Sequence, residues 1–415
     1  MLHQQHDAFR SSRTALVLSG GGARAAYQVG ALRALGEITG VTESPFSILA
    51  GVSAGAINSA AVAVGSDDFP RAVRELTDTW LSLTPDVVYR TDTPKLMSVG
   101  ARWLKELTAG GALGRSRANY LLDTAPLREL LRRKIDLSRV SQHFQSGLLR
   151  GVAFSATNYF SGTTVTFYDG APELQPWVRH DRIAFRETLT IDHVMASSAI
   201  PVFFPPVWID GQPFGDGGVR MSTPISPAVH LGADKILAIG IRYPRTPEQC
   251  MAVNRVGQAA EVSVAQIGGV LLNALFLDSL DNDLERLQRI NRTLGLIPAG
   301  ARHDDPDLLR RIPALLLRPS QDLGRLAADE YERFPAMLRY LLRGIGATGQ
   351  SGWDLLSYLA FQPGYVSKLI DLGYSDTLAR RAEIEAFFQA PSDGASASAF
   401  AAPSVAEQPV RFSES

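Results

Sequence analysis

Twice before residue 65 a short apolar run of strand length ends in a glycine-bearing turn and passes straight into a helix-spaced segment. The first run is Thr14-Ala15-Leu16-Val17-Leu18, closed by Ser19-Gly20-Gly21-Gly22. After it, Ala26, Val29, Gly30, Leu32, Ala34 and Leu35 recur at the spacing of a buried helix face. The second run, 46–50, is closed by Gly51-Val52-Ser53-Ala54-Gly55, and a small apolar segment follows to residue 64. Strands that are apolar throughout, rather than alternating, are buried on both faces, and a helix after each one supplies a parallel crossover. This pattern predicts an α/β fold: a largely parallel sheet covered by helices on both sides.

The rest of the chain extends the pattern. Residues 71–83 and 127–134 read as helices, the second following Pro126. Residues 151–157 and 163–168 read as strands around a turn at Ser161-Gly162. A helix over 189–198 stops before Pro201, and 205–211 predicts a tight hairpin with Asp210-Gly211 at its turn. Residues 235–241 form another apolar strand, and 312–317 a candidate late one. Most of 253–296 and 323–388 reads as helix. The predicted organisation is an arm (1–13), a catalytic domain (14–295), a mainly helical C-terminal extension packed on it (296–390) and an Ala/Ser/Pro-rich disordered tail (391–415). Residues 91–119, with Trp103 among glycines and arginines, read as a cap or a mobile loop.

Composition narrows the function class. Hydrophobic residues make up 45% and charged residues 20% of 415, which suits a globular chain with a substantial core. The 41 basic and 42 acidic side chains leave a net charge of −1, so nothing points to nucleic acid. A single cysteine, Cys250, rules out an intrachain disulfide framework and a cysteine-clustered metal site. The polar start carries no signal-peptide apolar region. The most apolar windows, 48–64 and 267–277, are short for a membrane span, and Asn58 and Asn273 interrupt them. The expectation is a cytoplasmic protein, at most in peripheral contact with a membrane surface.

Three glycine-centred features have a use in acyl transfer. Gly51-x-Ser53-x-Gly55 between a strand and a helix holds a serine at a sharp turn, with its hydroxyl at a helix N-terminus. Gly20, Gly21 and Gly22 before a helix present backbone N–H groups that suit a developing oxyanion. The loop lacks the Gly-Lys-Ser/Thr ending of a nucleotide-binding loop, and Ala25 replaces the closing glycine of a dinucleotide fingerprint. Arg24 either reinforces an anion site or pairs with a carboxylate.

A serine nucleophile needs a base. None of the seven histidines stands in a glycine-rich turn; His193 is the best placed, yet helix packing accounts for it as well. Asp216 follows a bulky hairpin bearing Trp208 and Phe214, and Gly217 and Gly218 let the chain turn sharply after it. A partly desolvated carboxylate there has a raised pKa and is able to take the serine proton directly.

The sequence resembles the patatin-like phospholipase family in its bacterial branch. The resemblance rests on Leu18-Ser-Gly-Gly-Gly-Ala-Arg24, Gly51-Val-Ser-Ala-Gly-Ala56, Ala196-Ser-Ser-Ala-Ile-Pro-Val-Phe-Phe-Pro205, Asp210-Gly211 and Asp216-Gly-Gly218, in that order, over about 14–241. It implies a three-layer α/β/α sandwich and a Ser-Asp dyad with no catalytic histidine, metal or cofactor. Ser53 would be the nucleophile, Asp216 the base, and the Gly20, Gly21 and Gly22 amides the oxyanion hole, with Arg24 assisting. Two departures are Ala25 for a glycine and Ser19 for the aspartate of the plant storage proteins.

The implied substrate is a fatty acyl ester, of a phospholipid or a lysophospholipid. A thioesterase, a carboxylesterase or an acyltransferase is the alternative within catalysis, and a silent lipid-binding scaffold the alternative outside it. Residues 267–277, apolar on nearly every face, suit either an acyl-chain lining or a buried core helix. Head-group preference and oligomeric state are not legible.

Overall fold

The structure, a computed structural model, describes residues 13–90, 120–255, 262–297, 309–334, 336–347 and 352–390. The expected arm (apart from Arg13), the 91–119 stretch and the tail lie outside the described residues.

The sheet is mixed and mostly parallel at its centre. Its strands are β1 (Thr14–Leu18), β2 (Ile48–Val52), β3 (Gly151–Asn158), β4 (Thr164–Gly170), β5 (Val178–Arg179) and β6 (Arg182–Arg186). Later in the chain come β7 (Val207–Ile209), β8 (Gln212–Asp216), β9 (Lys235–Ile239) and β10 (Ala314–Leu317). The order is β10-β9-β1-β2-β3-β4-β6-β5, with the β7–β8 hairpin branching from the end of β3. The run β10-β9-β1-β2-β3 is parallel throughout. At β3 the direction reverses, because the Ser161-Gly162 turn makes β4 its antiparallel neighbour. The β7–β8 turn is the predicted one: Asp210 and Gly211 both take positive φ, 49° and 74°, as a two-residue hairpin requires.

Alternate side chains of the central strands enter two separate cores. Leu16, Leu18, Leu49, Phe154, Leu237 and Ile239 face one side, against α1 (Ala26–Thr39), α2 (Ala54–Val64) and α3 (Phe69–Leu81). Ala15, Val17, Ile48, Ala50, Ile236 and Ala238 face the other, where Ala228, Leu231, Leu280, Leu284 and Leu287 cover them. The result is a three-layer α/β/α sandwich. The apolar strands lack alternation because both faces are buried.

Further helices are α4 (Ala125–Lys134), α5 (Ile191–Ser197), α6 (Val264–Phe276), α7 (Asp278–Leu296), α8 (Trp353–Leu359) and α9 (Pro363–Leu378). Described segments beyond residue 295 are built into the sandwich. β10 extends the sheet beside β9, and α9 lies directly on α1. At that crossing the backbones touch: a Cβ on Gly30 would stand 1.9 Å from Ile370 O, and one on Gly373 would stand 2.0 Å from Tyr27 O.

The stretch Val264–Leu296 is long and apolar enough to cross a membrane by length and composition, but it is two helices parted at Leu277. α7 is anchored by buried Leu280, Leu284 and Leu287. α6 differs from both expectations for residues 267–277. Its inward face holds Ala265, Gly269, Leu272, Leu275 and Phe276, while Val264, Ile267, Val270 and Leu271 are 52–66% exposed. Periodicity identified an apolar helix without showing that four of its large side chains point outward.

Candidate active site

Ser53 sits where β2 turns into α2, at φ 56° and ψ −133°. A non-glycine residue there carries strain on the order of 1–3 kcal/mol, which the surroundings must offset. They do so through two consecutive serines at the end of α5. The Ser53 N–H donates to Ser197 Oγ at 2.9 Å, and Ser198 Oγ donates to Ser53 O at 2.9 Å. Ser197 Oγ in turn donates to Ser155 O on β3 at 2.6 Å. The Ser53 peptide is thus clamped on both sides. Gly51 and Gly55 make the turn possible by close approach: Cβ atoms there would stand 2.5 Å from Gly55 O and 2.3 Å from Leu18 O.

Asp216 ends β8, alongside Ala156 of β3. Its N–H donates to Ala199 O at 2.9 Å, and Thr157 Oγ1 donates to its carbonyl at 2.8 Å. The carboxylate accepts from Ser53 Oγ at 2.5 Å through Oδ2 and from the Gly218 N–H at 2.8 Å through Oδ1. Gly217 lies flat on β3, where a Cβ would stand 2.1 Å from Ser155 O. Burial pushes the Asp216 carboxyl up to about 7, and the hydrogen bonds from Ser53 and Gly218 hold it from rising further.

Gly20, Gly21 and Gly22 lie beside this pair. A Cβ on Gly20 would stand 2.7 Å from Ser53 Cβ and 3.4 Å from Ser53 Oγ, so only glycine brings the loop this close. Among the described residues the Gly20 and Gly21 N–H groups donate to no protein acceptor.

Arg24 turns away from the serine. Its Nε donates to Ser357 Oγ at 2.7 Å, Nη1 to Asn273 Oδ1 at 3.2 Å and Nη2 to Asp354 Oδ1 at 2.9 Å. The guanidinium stacks 4.5 Å over the Tyr358 ring. Of the two roles considered for Arg24, carboxylate pairing is the one observed. His193 is likewise occupied. Its Nδ1 accepts from the Thr190 N–H at 3.0 Å, capping α5, and its ring packs tilted against Phe167 with centroids 4.4 Å apart. Burial lowers its pKa to about 4. No histidine bonds to Ser53 or Asp216 among the described residues.

From Ser53 and Gly22 a cavity of about 410 Å³ runs between α2, α3 and α4. Ile57, Ala61, Leu76, Trp80, Leu127, Leu130, Leu131, Ile200, Phe204 and Phe361 make its wall, and Asp67, Asp68, Arg71, Arg133, Lys134 and Arg139 contribute a charged border. The size and apolar lining fit a small-molecule or single-chain ligand. A buried polar chain ties this wall to the glycine loop: Trp80 Nε1 donates to Asn58 Oδ1, and Asn58 Nδ2 to Gln28 Oε1. Gln28 Nε2 completes it by donating to Ser19 O. Neither the cavity nor the roles of Ser197, Ser198, Asn58 and Gln28 were found in the sequence. The adjacent serines of Ala196-Ser-Ser-Ala199 were the one available signal.

The chain is similar to several solved structures. VipD from Legionella pneumophila is 12% identical, with a TM-score of 0.39, over 90% of this chain and 67% of that one. Human GIVD cytosolic phospholipase A2 is 15% identical, with a TM-score of 0.41, over 93% of this chain and 62% of that one. ExoU of Pseudomonas aeruginosa, in its complex with SpcU, is 16% identical, with a TM-score of 0.26, over 89% and 77%. No curated protein matches the sequence. The family model described as patatin-like phospholipase matches residues 16–229, which span β1, the glycine loop, Ser53 and Asp216, and the chain belongs to that family.

Proposed function

We propose that this protein hydrolyses acyl esters of phospholipids or lysophospholipids through a Ser53–Asp216 dyad and an acyl-enzyme intermediate. The observation that carries the reading is the 2.5 Å hydrogen bond from Ser53 Oγ to a fully buried carboxylate whose pKa lies near 7. A base poised near the working pH takes a proton readily and returns it readily.

In the first step Ser53 Oγ attacks the ester carbonyl as its proton passes to Asp216 Oδ2. The negative charge that develops on the former carbonyl oxygen is met by the Gly20, Gly21 and Gly22 amides, where each donor is worth roughly 2.7–4 kcal/mol. Collapse of the tetrahedral species breaks the ester bond, and Asp216 gives the proton to the departing alcohol oxygen. Water then attacks the acyl-serine while Asp216 takes its proton, and the freed Ser53 recovers a proton from Asp216. The acyl chain occupies the 410 Å³ cavity. Arg24 acts on the loop from behind, as a positioning residue.

A fluorophosphonate probe tests the assignment. Labelling is expected on Ser53 and lost in Ser53→Ala. Hydrolysis of phospholipid, lysophospholipid, acyl-CoA and p-nitrophenyl esters would then rank the substrate classes. An unlabelled but folded wild type points to a silent scaffold, and preference for acyl-CoA points to a thioesterase.

A further inference from the structure

α6 splits its apolar surface between two faces. Ala265, Gly269, Leu272, Leu275 and the terminal Phe276 lie toward the protein, while Val264, Ile267, Val270 and Leu271 face solvent, 52–66% exposed. Val262, just ahead of the helix, is 69% exposed. Residues 262–277 carry no charge. A helix with this outward face is stable in water only at a cost, and a contiguous apolar patch of this kind marks an interaction surface.

The helix that carries the patch ends at the catalytic centre. The Phe276 ring is buried against the two glycines that flank the dyad: Cβ atoms built on Gly20 and Gly218 would stand 3.5 Å and 2.3 Å from its Cδ1. Phe276 is not among the residues that line the cavity.

We propose that the outer face of α6 is the surface by which this protein docks on a lipid bilayer. The inference rests on the phospholipid reading above and names the part of the chain that meets the aggregate. Thirteen residues span about 20 Å, short of the about 30 Å hydrocarbon core, so the helix lies in the interface plane. Its neighbour, the helix Ala336–Gly344, meets it where the Ala265 N–H donates to Ile345 O at 2.9 Å. That neighbour presents exposed Tyr340 and Arg343, an aromatic and a cation suited to the headgroup layer. A second copy of the chain fits less well. One helix face of roughly 20 by 10 Å offers far less than the about 800 Å² per partner of a stable protein interface.

The test uses full-length enzyme and vesicles of phosphatidylcholine with phosphatidylglycerol. Ile267→Glu/Leu271→Glu alters two exposed positions and is expected to weaken vesicle co-sedimentation at least about tenfold, while p-nitrophenyl butyrate hydrolysis stays within about twofold. As a second readout, Cys250→Ser/Leu271→Cys carrying an environment-sensitive NBD label should brighten and shift to the blue when vesicles are added. Equal vesicle binding by variant and wild type, no binding by wild type, or an unshifted label each overturns the proposal. So does a wild-type dimer that the double variant converts to a monomer with vesicle binding intact. If wild type binds vesicles through this face, and the probe labels Ser53, but no phospholipid is cleaved, docking stands and the substrate reading fails.

Discussion

Ser53 Oγ donates to Asp216 Oδ2 across 2.5 Å, and neither side chain reaches solvent, at 1% and 0% exposure. The carboxyl must be ionised to accept the serine proton, and burial holds its pKa near 7. The kcat/KM for a soluble ester is therefore expected to rise with pH through about 7 and level off above it. Asp216→Asn should abolish turnover at every pH, and a profile already flat at pH 5 would contradict the assignment.

The same pKa shift has a stability consequence. The folded-state value is raised above the ordinary carboxylate value of about 3.9, so between pH 4 and 7 the folded chain holds a proton that the unfolded chain has released. The contribution is fully present below pH 4 and is lost as pH rises through 7. Asp216→Asn removes this titration and is expected to raise Tm relative to wild type more at pH 8 than at pH 5. The effect is on the order of a few kcal/mol, readable by calorimetry.

Ser197 accepts the Ser53 N–H in a fully buried setting. Ser197→Ala leaves that amide unpaired, at a cost of about 1–3 kcal/mol in stability. The clamp on the strained serine loosens with it, so kcat should fall about tenfold to a hundredfold with KM little changed. Ser197→Thr keeps the hydroxyl and is expected to recover part of the rate.

Arg24 joins Ser357, Asn273 and Asp354 while stacked on Tyr358. Arg24→Met strands the Asp354 carboxylate and removes four hydrogen bonds, and should cost about 3–5 kcal/mol in chemical denaturation. Arg24→Lys keeps the charge without the planar fork and is expected to recover only part of that loss.

Ala61 lines the cavity one turn along α2 from Ile57. Ala61→Phe fills the tunnel beyond Ser53. Hydrolysis of long-chain esters is expected to drop at least about tenfold while acetyl and butyryl esters stay within about twofold, measured across a chain-length series. A uniform loss over all lengths would argue that the cavity holds something other than the acyl chain.

How far the sequence led depends on the range of the interaction. The glycine loop, the Ser53 turn and the Asp210-Gly211 hairpin are set by neighbouring residues, and each appears at its expected place. The α/β class was legible because β1 and β2 have no alternation. The cavity wall was not: Ile57, Trp80, Leu127, Ile200 and Phe361 meet only in the fold. α6 shows the other limit. A uniformly apolar window has no polar face to say which side is outside, and small Ala265 and Gly269 took the interior because they allow closer packing. Arg24 had two readings, and its partner Asp354 stands 330 positions away.

That separation orders events during synthesis. Ser53 leaves the ribosome 163 residues before Asp216 does, which at about 5–20 residues per second is roughly 8–33 s of translation with the serine and no carboxylate partner. The glycine loop waits longer, because Asp354 and Ser357, which hold Arg24, follow Asp216 by about 140 residues. A nascent lipid hydrolase of this design lacks the support of its glycine loop until the helix Trp353–Leu359 has been made.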